Sequence, residues 1–440
     1  MSSRANWGSK LGFILAASGS AVGLGAIWKF PYVAGKNGGG VFLLVYLACV
    51  FTIGIAMLLA EMVIGHSAKK SATTAYRDLK GGLWPWAGRL SVLCVFVVLA
   101  FYSVVGGWTF AYLWGSITGE VLTTDTAALR KLFKSFTASP QQALIYTALF
   151  STVTAAIVLG GIEKGIERAS KILMPALFIL MLVLITRSLT LPGAINGVLY
   201  FITPDFTKFS SEMVIEAMGL ALFSLSVGGG MIIAYGSYIA PETKLVGATL
   251  WITVLATLAS LLAGLMVLPA VFAFHVDPAI GPSLTFITMP ALFAQMPAGQ
   301  FFAISFFLLL IFAALTSSVS ILEPIVSFLM DEFGMQRKPA TITTAIAAYG
   351  LSIPAALSFG PLAGVTAFDK IPFDLMDYLA SNIMMPAGGL LAALFVGWAI
   401  WPRIQQELSA QGANLILPIF RMLCAVIAPI VICVVWIHNL

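Results

Sequence analysis

Long apolar stretches recur from one end of this chain to the other. They fall at 10–35, 41–67, 88–121, 143–160, 167–190, 214–240, 244–273, 301–332, 340–360, 373–401 and 417–437. A helix needs about 20 such residues to cross a hydrocarbon core of ~30 Å, whereas a barrel strand needs about 10 with polar residues alternating. The pattern therefore predicts an all-α polytopic membrane protein with eleven transmembrane helices. Two connections are long. The segment 121–142 is predicted to be partly helical, and 274–300, apolar but broken by Pro278, Pro282, Pro290 and Pro297, is predicted to fold back as a hairpin cap. No soluble domain or linker interrupts residues 1–440, which are expected to form one membrane domain.

Composition agrees with the pattern. With 60% hydrophobic and only 9% charged residues, and a mean hydropathy of +1.00, there is too little polar surface to coat a soluble globule. Most lysines and arginines, among them Arg4, Lys69, Lys70, Arg77, Lys164, Arg168, Arg337 and Arg403, fall on the side of the N-terminus. The positive-inside rule then places the N-terminus in the cytoplasm, and an odd number of spans places the C-terminus outside. The net charge of +5 is thus explained by anchoring to the inner leaflet of the bilayer and makes no case for a nucleic-acid partner. No cleavable signal peptide is visible. Cys49, Cys94, Cys424 and Cys433 sit singly in apolar runs and are expected to be packing residues.

Two spans are interrupted near their middles. The first reads SGSAVGLGAIWKFPY from Ser18 to Tyr32, and the sixth reads SLSVGGG from Ser224 to Gly230. Five spans separate corresponding halves, as an inverted five-plus-five repeat requires: about 10–190, then about 214–401, with 417–437 as an added helix. Unpaired backbone groups are costly in hydrocarbon, so a broken helix persists only where protein or a polar cavity satisfies it. Freed carbonyls suit a cation, and exposed helix N-termini suit an anion. A glycine-rich packing face is the alternative explanation, since small residues are common at membrane helix contacts.

The wording of these segments breaks the tie. Trp7 to Tyr46, Phe223 to Tyr238 (FSLSVGGGMIIAYGSY), FITMPALFAQ and LTSSVSILEP closely resemble the neurotransmitter:sodium symporter family, in particular its eleven-helix bacterial amino-acid transporters of the leucine-transporter type. The resemblance covers essentially the whole chain. It implies a sodium-coupled importer of an amino acid in a bacterial inner membrane, working by alternating access, and not an enzyme. No catalytic motif stands against this.

The residue roles that follow are those the resemblance implies. One sodium ion would be held by carbonyls of Gly19, Val22 and Ala313 and the hydroxyls of Thr316 and Ser317. The family's other sodium site does not map, because Ala26 and Ala256 stand where side-chain oxygens should be and only Ser224, with the Ala21 carbonyl, survives. Chloride coupling is not expected: Tyr46, Ser224 and Ser260 are present, but Leu220 replaces an amide. The substrate carboxylate would meet Gly23, the N–H groups of Leu24 and Gly25, and Tyr102. Carbonyls near Phe223 and Ser226 would take the ammonium. Val98, Phe223, Gly229, Ser317 and Ile321 would surround the side chain, and Gly229 is read as making room for a bulky apolar or aromatic one. Lys29 and Asp377 would gate the outer side, or Lys29 would lean inward and replace the missing sodium charge. Arg4 and Asp331, beside Trp7 and Tyr238, would close the inner side, and Glu61 would accept N–H groups from the unwound stretches. Glu323 is left without a predicted partner. Proton coupling through Glu323 or Lys29, sodium-independent transport and a non-transporting receptor on the same scaffold remain open alternatives. Oligomeric state is not legible.

Overall fold

A computed structural model describes residues 5–275 and 284–439. The described residues are helical apart from turns and isolated bridges such as Gly39 with Pro204. We number the spans α1 (Lys10–Ala21, α1a, then Gly25–Lys36, α1b), α2 (Gly40–Ala68), α3 (Pro85–Thr118), α4 (Pro140–Leu159), α5 (Ile162–Leu189), α6 (Ser211–Ser224, α6a, then Met231–Gly236, α6b), α7 (Leu245–Ala273), α8 (Gly299–Phe333), α9 (Arg337–Phe359), α10 (Pro372–Ala399) and α11 (Asn414–His438). Among the described residues nine helices are long and apolar enough to cross a membrane, and ten if the bent α1 pair counts as one. The span predicted at 214–240 misses that test because its break leaves two pieces, each too short to span alone.

The connections carry helices of their own. Thr126–Ala138 makes 121–142 partly helical, as expected, with the Asp125 carboxylate accepting the N–H groups of Ala127 and Ala128 at its start. In 274–300, the described part contains the apolar helix Thr285–Ala294, while the Pro278 and Pro282 portion of the predicted hairpin lies outside the described residues. Beyond α10, Trp401–Ala410 is tied back to the end of α2: Glu407 accepts from Ser67 and meets His66 Nδ1 at 2.5 Å.

Burial ranks the helices. The apolar window of α8 is 78% buried and that of α11 only 28%, so α8 lies at the centre and α11 at the rim. The tightest neighbours of α8 are α3 and α5, and α1a packs against α7, α8 and α5. That placement brings the α1 break against the middle of α8, where TSS (Thr316 to Ser318) lies.

Candidate functional site

α1a ends at Ala21, and α1b leaves at 52° to it. Val22 closes the first half with ψ of 56°, which turns its carbonyl out of the helical ladder. Opposite, Ser317 Oγ lies 3.2 Å from the Gly19 carbonyl and 3.1 Å from that of Ser20. Thr316 Oγ1 lies 3.0 Å from the Ala313 carbonyl. The approach is close because residue 19 is glycine: a Cβ there would sit 3.0 Å from Thr316 Cβ. Gly19, Val22, Ala313, Thr316 and Ser317 are all buried. Carbonyls and hydroxyls without a carboxylate fit a hard monovalent cation such as sodium better than a divalent one. Among the described residues no group of three or more His, Cys, Asp or Glu could hold a metal ion.

The α6 break is built differently. Gly228 and Gly230 have φ of +96° and +71°, and Ser226, not a glycine, has φ of +57°, a left-handed conformation that is costly for L residues. A hydrogen bond holds it there: Ser226 Oγ donates to the Ser20 carbonyl at 2.9 Å and so ties one break to the other. Glu61, buried in α2, accepts the Gly228 N–H at 2.6 Å, which is the role the sequence assigns it. A carboxylate without water survives there only because such partners are supplied.

Between the breaks lies a cavity of about 90 Å³. Ala21, Gly23, Leu24, Gly25, Val98, Tyr102, Phe223, Ser224, Ser226, Ser317 and Ile321 all line it, together with Phe101, Asp377, Ser381 and Met385, so the structure brings this expected set together. Leu24 and Gly25 open α1b and present first-turn N–H groups, which have no partner within the helix. Tyr102 OH lies 3.5 Å from the Leu24 nitrogen. Gly23 has no room for a side chain, since a Cβ would fall 2.3 Å from Ser317 Oγ and 3.3 Å from Tyr102 OH. An anion at this point meets N–H groups, a hydroxyl and the positive end of a helix. Gly229 is the exception. It does not line the cavity, and a Cβ there would meet Met231 Cε at 2.9 Å and Val95 Cγ1 at 3.0 Å. The room read from Gly229 is filled by Met231, which itself lines the cavity.

Where a second cation could sit, the structure offers methyl groups. Ala26 and Ala256 are 1% and 2% exposed, and α7 packs on the first turn of α1b. The remaining hydroxyls bond among themselves: Tyr46 OH lies 3.0 Å from Ser224 Oγ and 3.3 Å from Ser260 Oγ.

The two ends of the bundle differ. Near the N-terminus, the Trp7 N–H donates to the Tyr238 carbonyl and its indole to that of Tyr235, each at 3.1 Å. Asp331 accepts the Ser71 N–H at 2.5 Å. Its predicted partner Arg4 lies outside the described residues. At the other end, a cavity of about 290 Å³ opens above Phe223. Lys29 stands in it, exposed, with Nζ 5.0 Å from the Phe223 ring centroid. The resemblance implies a Lys29–Asp377 gate joined through water, and no direct ion pair forms between the two side chains. Asp377 accepts from Ser381 at 2.7 Å instead, and the vestibule's ion pair is Lys36 with Glu216 at 2.7 Å. Because Lys29 extends along the vestibule face of Phe223, the ring stands between it and the cavity.

Comparison with known proteins agrees with this geometry. The family described as the sodium:neurotransmitter symporter family matches residues 4–128 and 127–440. The chain belongs to that family. It is 39% identical to the uncharacterised sodium-dependent transporter YhdH of Bacillus subtilis over 93% of this chain and 90% of the relative. It is 36% identical to an uncharacterised sodium-dependent transporter of Haemophilus influenzae over 99% and 98%. Among solved structures, MhsT in complex with L-phenylalanine superposes with a TM-score of 0.90 at 40% identity, covering 100% of both chains. The fold is therefore the eleven-helix leucine-transporter type, an all-α multi-pass membrane transporter.

Sequence reasoning missed several partners in this symporter. Glu323, fully buried, receives both guanidinium nitrogens of Arg337, at 2.6 and 2.9 Å, and Tyr238 OH at 2.7 Å. The available signal was a cation at the start of the next helix, one turn-back away. Glu167 of α5 accepts the Gly8 N–H and the Ser9 hydroxyl, both at 2.7 Å, and pins the start of α1a. Ser20, which lines the cavity, is joined to Ser320 at 2.7 Å, and the pair went unread because a serine in an apolar helix usually bonds to its own backbone.

Proposed function

We propose that this transporter imports an amino acid together with sodium by alternating access, using one sodium ion per cycle. The observation that carries the proposal is the meeting of the α1 break with α8, where Ser317 Oγ reaches the Gly19 carbonyl at 3.2 Å. The same oxygens join a helix that must move to a helix at the centre of the bundle. Sodium held by Gly19, Val22, Ala313, Thr316 and Ser317 would favour the arrangement in which Trp7 and Tyr238 close the cytoplasmic end. The substrate carboxylate would lie at Leu24, Gly25 and Tyr102, and its ammonium near the carbonyls of Phe223 and Ser226. Phe223 would then shut the cavity from the vestibule. Opening of the Trp7 end would wet Val22, Thr316 and Ser317 and release the ion inward.

The methyl groups of Ala26 and Ala256 support a single sodium ion, and Leu220 beside Tyr46 and Ser224 supports independence from chloride. The distribution of Lys and Arg supports an N-terminus on the cytoplasmic side of the membrane, which we take to be a bacterial inner membrane. One sodium ion moving inward down about 100 mV supplies about 2.3 kcal/mol, which sustains roughly fortyfold accumulation before the sodium gradient itself is counted. The test is uptake of labelled amino acids into proteoliposomes with sodium and proton gradients imposed separately. Uptake that follows the sodium gradient and ignores chloride is expected. Uptake driven by protons alone, or without any gradient, discards sodium coupling, and absence of uptake with retained ligand binding favours a receptor.

A further inference from the structure

We infer that Glu167 is the latch of the cytoplasmic end, a positioning residue on α5 that sets how readily α1a swings away from the bundle; this rests on the alternating-access reading above.

Shape is the first argument. Glu167 closes the π-helical start of α5 (Ile162–Glu167) and is only 2% exposed. Two glycines four residues apart make room for that burial. A Cβ on Gly12 would fall 2.1 Å from Glu167 Oε1, and one on Gly8 would fall 3.0 Å from Glu163 Cγ. The carboxylate therefore lies directly against the backbone of α1a, in a notch that exists only while α1a rests on α5.

Bonding is the second. Glu167 accepts the Gly8 N–H and the Ser9 hydroxyl, both at 2.7 Å, and Ser9 Oγ in turn accepts the Gly12 N–H at 3.0 Å. Hydrogen bonds to a charged acceptor are about twice as strong as neutral ones, and a carboxylate also suits the positive end of a helix. Lys171, 2.6 Å away, pairs with Glu167 from the exposed side.

Position is the third. Trp7 ties the same end of α1a to the carbonyls of Tyr235 and Tyr238, so a swing of α1a must break the hold of α6b and the hold of α5 together. The charged hold is that of Glu167. Its partners are neither the cavity residues nor the expected sodium ligands, so Glu167 acts on transport only through the place of α1a.

The test is the distance between nitroxides on cysteines introduced at the exposed Lys10 and Lys338, read by pulsed electron paramagnetic resonance on the purified protein. The partly exposed Cys49 and Cys433 are replaced by alanine, and the buried Cys94 and Cys424 stay. Without sodium, Glu167→Gln is expected to raise the population of a second, separate distance about tenfold over that in the protein with Glu167, and added sodium to restore the first. Gly12→Ala distinguishes a latch from an effect on helix strength. Alanine favours a helix over glycine, yet its Cβ must displace the carboxylate, so the second distance is expected to grow here too. A second distance that neither variant increases overturns the latch alone, and so does broadening without a second distance, which marks a frayed helix. A second distance that grows in both variants but ignores sodium supports the latch and overturns the sodium reading. One distance in every protein, with and without sodium, overturns the movement of α1a on which latch and alternating access both rest.

Discussion

Two pockets of helix lie within a few residues of each other along α1, and they have opposite chemistry. At the α8 side, Gly19 and Val22 face Ala313, Thr316 and Ser317, and oxygen atoms converge. At the α7 side, Ala26 and Ala256 present methyl groups, and the surviving hydroxyls of Tyr46, Ser224 and Ser260 satisfy one another. Both regions are buried. Burial therefore does not by itself suit a place to a cation: what differs is that carbonyls and hydroxyls from two helices face one another at α8, whereas methyl groups stand between α1b and α7. The difference also bears on Lys29. With no ion expected beside the substrate carboxylate, a nearby cation is an attractive substitute, yet Lys29 lies along the vestibule face of Phe223. Under the proposed function, the N–H groups of α1b and Tyr102 would then be left to receive the carboxylate.

The comparison is broken most directly at its oxygen-rich side. Thr316→Val combined with Ser317→Ala should weaken sodium-dependent stabilisation and uptake on the order of 100-fold, as losses at a metal's supporting groups do, read from sodium titrations of melting temperature and transport. If sodium dependence survives unchanged, the ion does not bind at these residues. Next in size is the attempt to restore the other side. Ala26→Asn with Ala256→Asn should raise the steepness of the sodium dependence, from a Hill coefficient of about 1 toward 2. A coefficient already near 2 in the unaltered protein would show a second ion and end the single-ion reading. Ser224→Ala is expected to do little to sodium dependence, less than about threefold, and to cost about 1 kcal/mol of stability through the lost contact with Tyr46, measurable by thermal melting.

The smallest effect lies outside the site. Burial pushes the Glu407 carboxyl up, but hydrogen bonds from His66 and Ser67 outweigh it and hold the group below the usual carboxylate range. The stability that this contact contributes is thus fully present above about pH 4.3, the unperturbed value, and is lost as pH falls through the lowered folded value. Glu407→Gln should flatten that part of the melting-temperature profile without altering sodium dependence at neutral pH.

How much of this was legible in the chain depends on what carries each feature. The cavity residues Leu24, Gly25, Tyr102, Phe223 and Ser226 could be named because they sit in or beside helix breaks, and a break in an apolar run is a local signal. Gly229 was misjudged for the opposite reason: its freedom is visible locally, but the atom that fills the space belongs to Met231. The Arg337–Glu323 pair escaped because two charges on successive helices meet only if those helices turn back with the right rotation. Lys29 and Asp377 were paired by resemblance, whereas in the fold Lys29 lies over the Phe223 ring and Asp377 accepts from Ser381.

The sequence by itself determined that this is a membrane protein, that its spans are helices, which two of them break, and which side chains can offer oxygen. These are consequences of composition and of the cost of unpaired backbone in hydrocarbon, and they act within a few residues. It took the tertiary structure to say which oxygens come together, which residues line the cavity and which charges pair. Those outcomes turn on ångström-scale approaches between helices distant in the chain, such as Ser317 to Gly19 at 3.2 Å and Met231 to the space at Gly229.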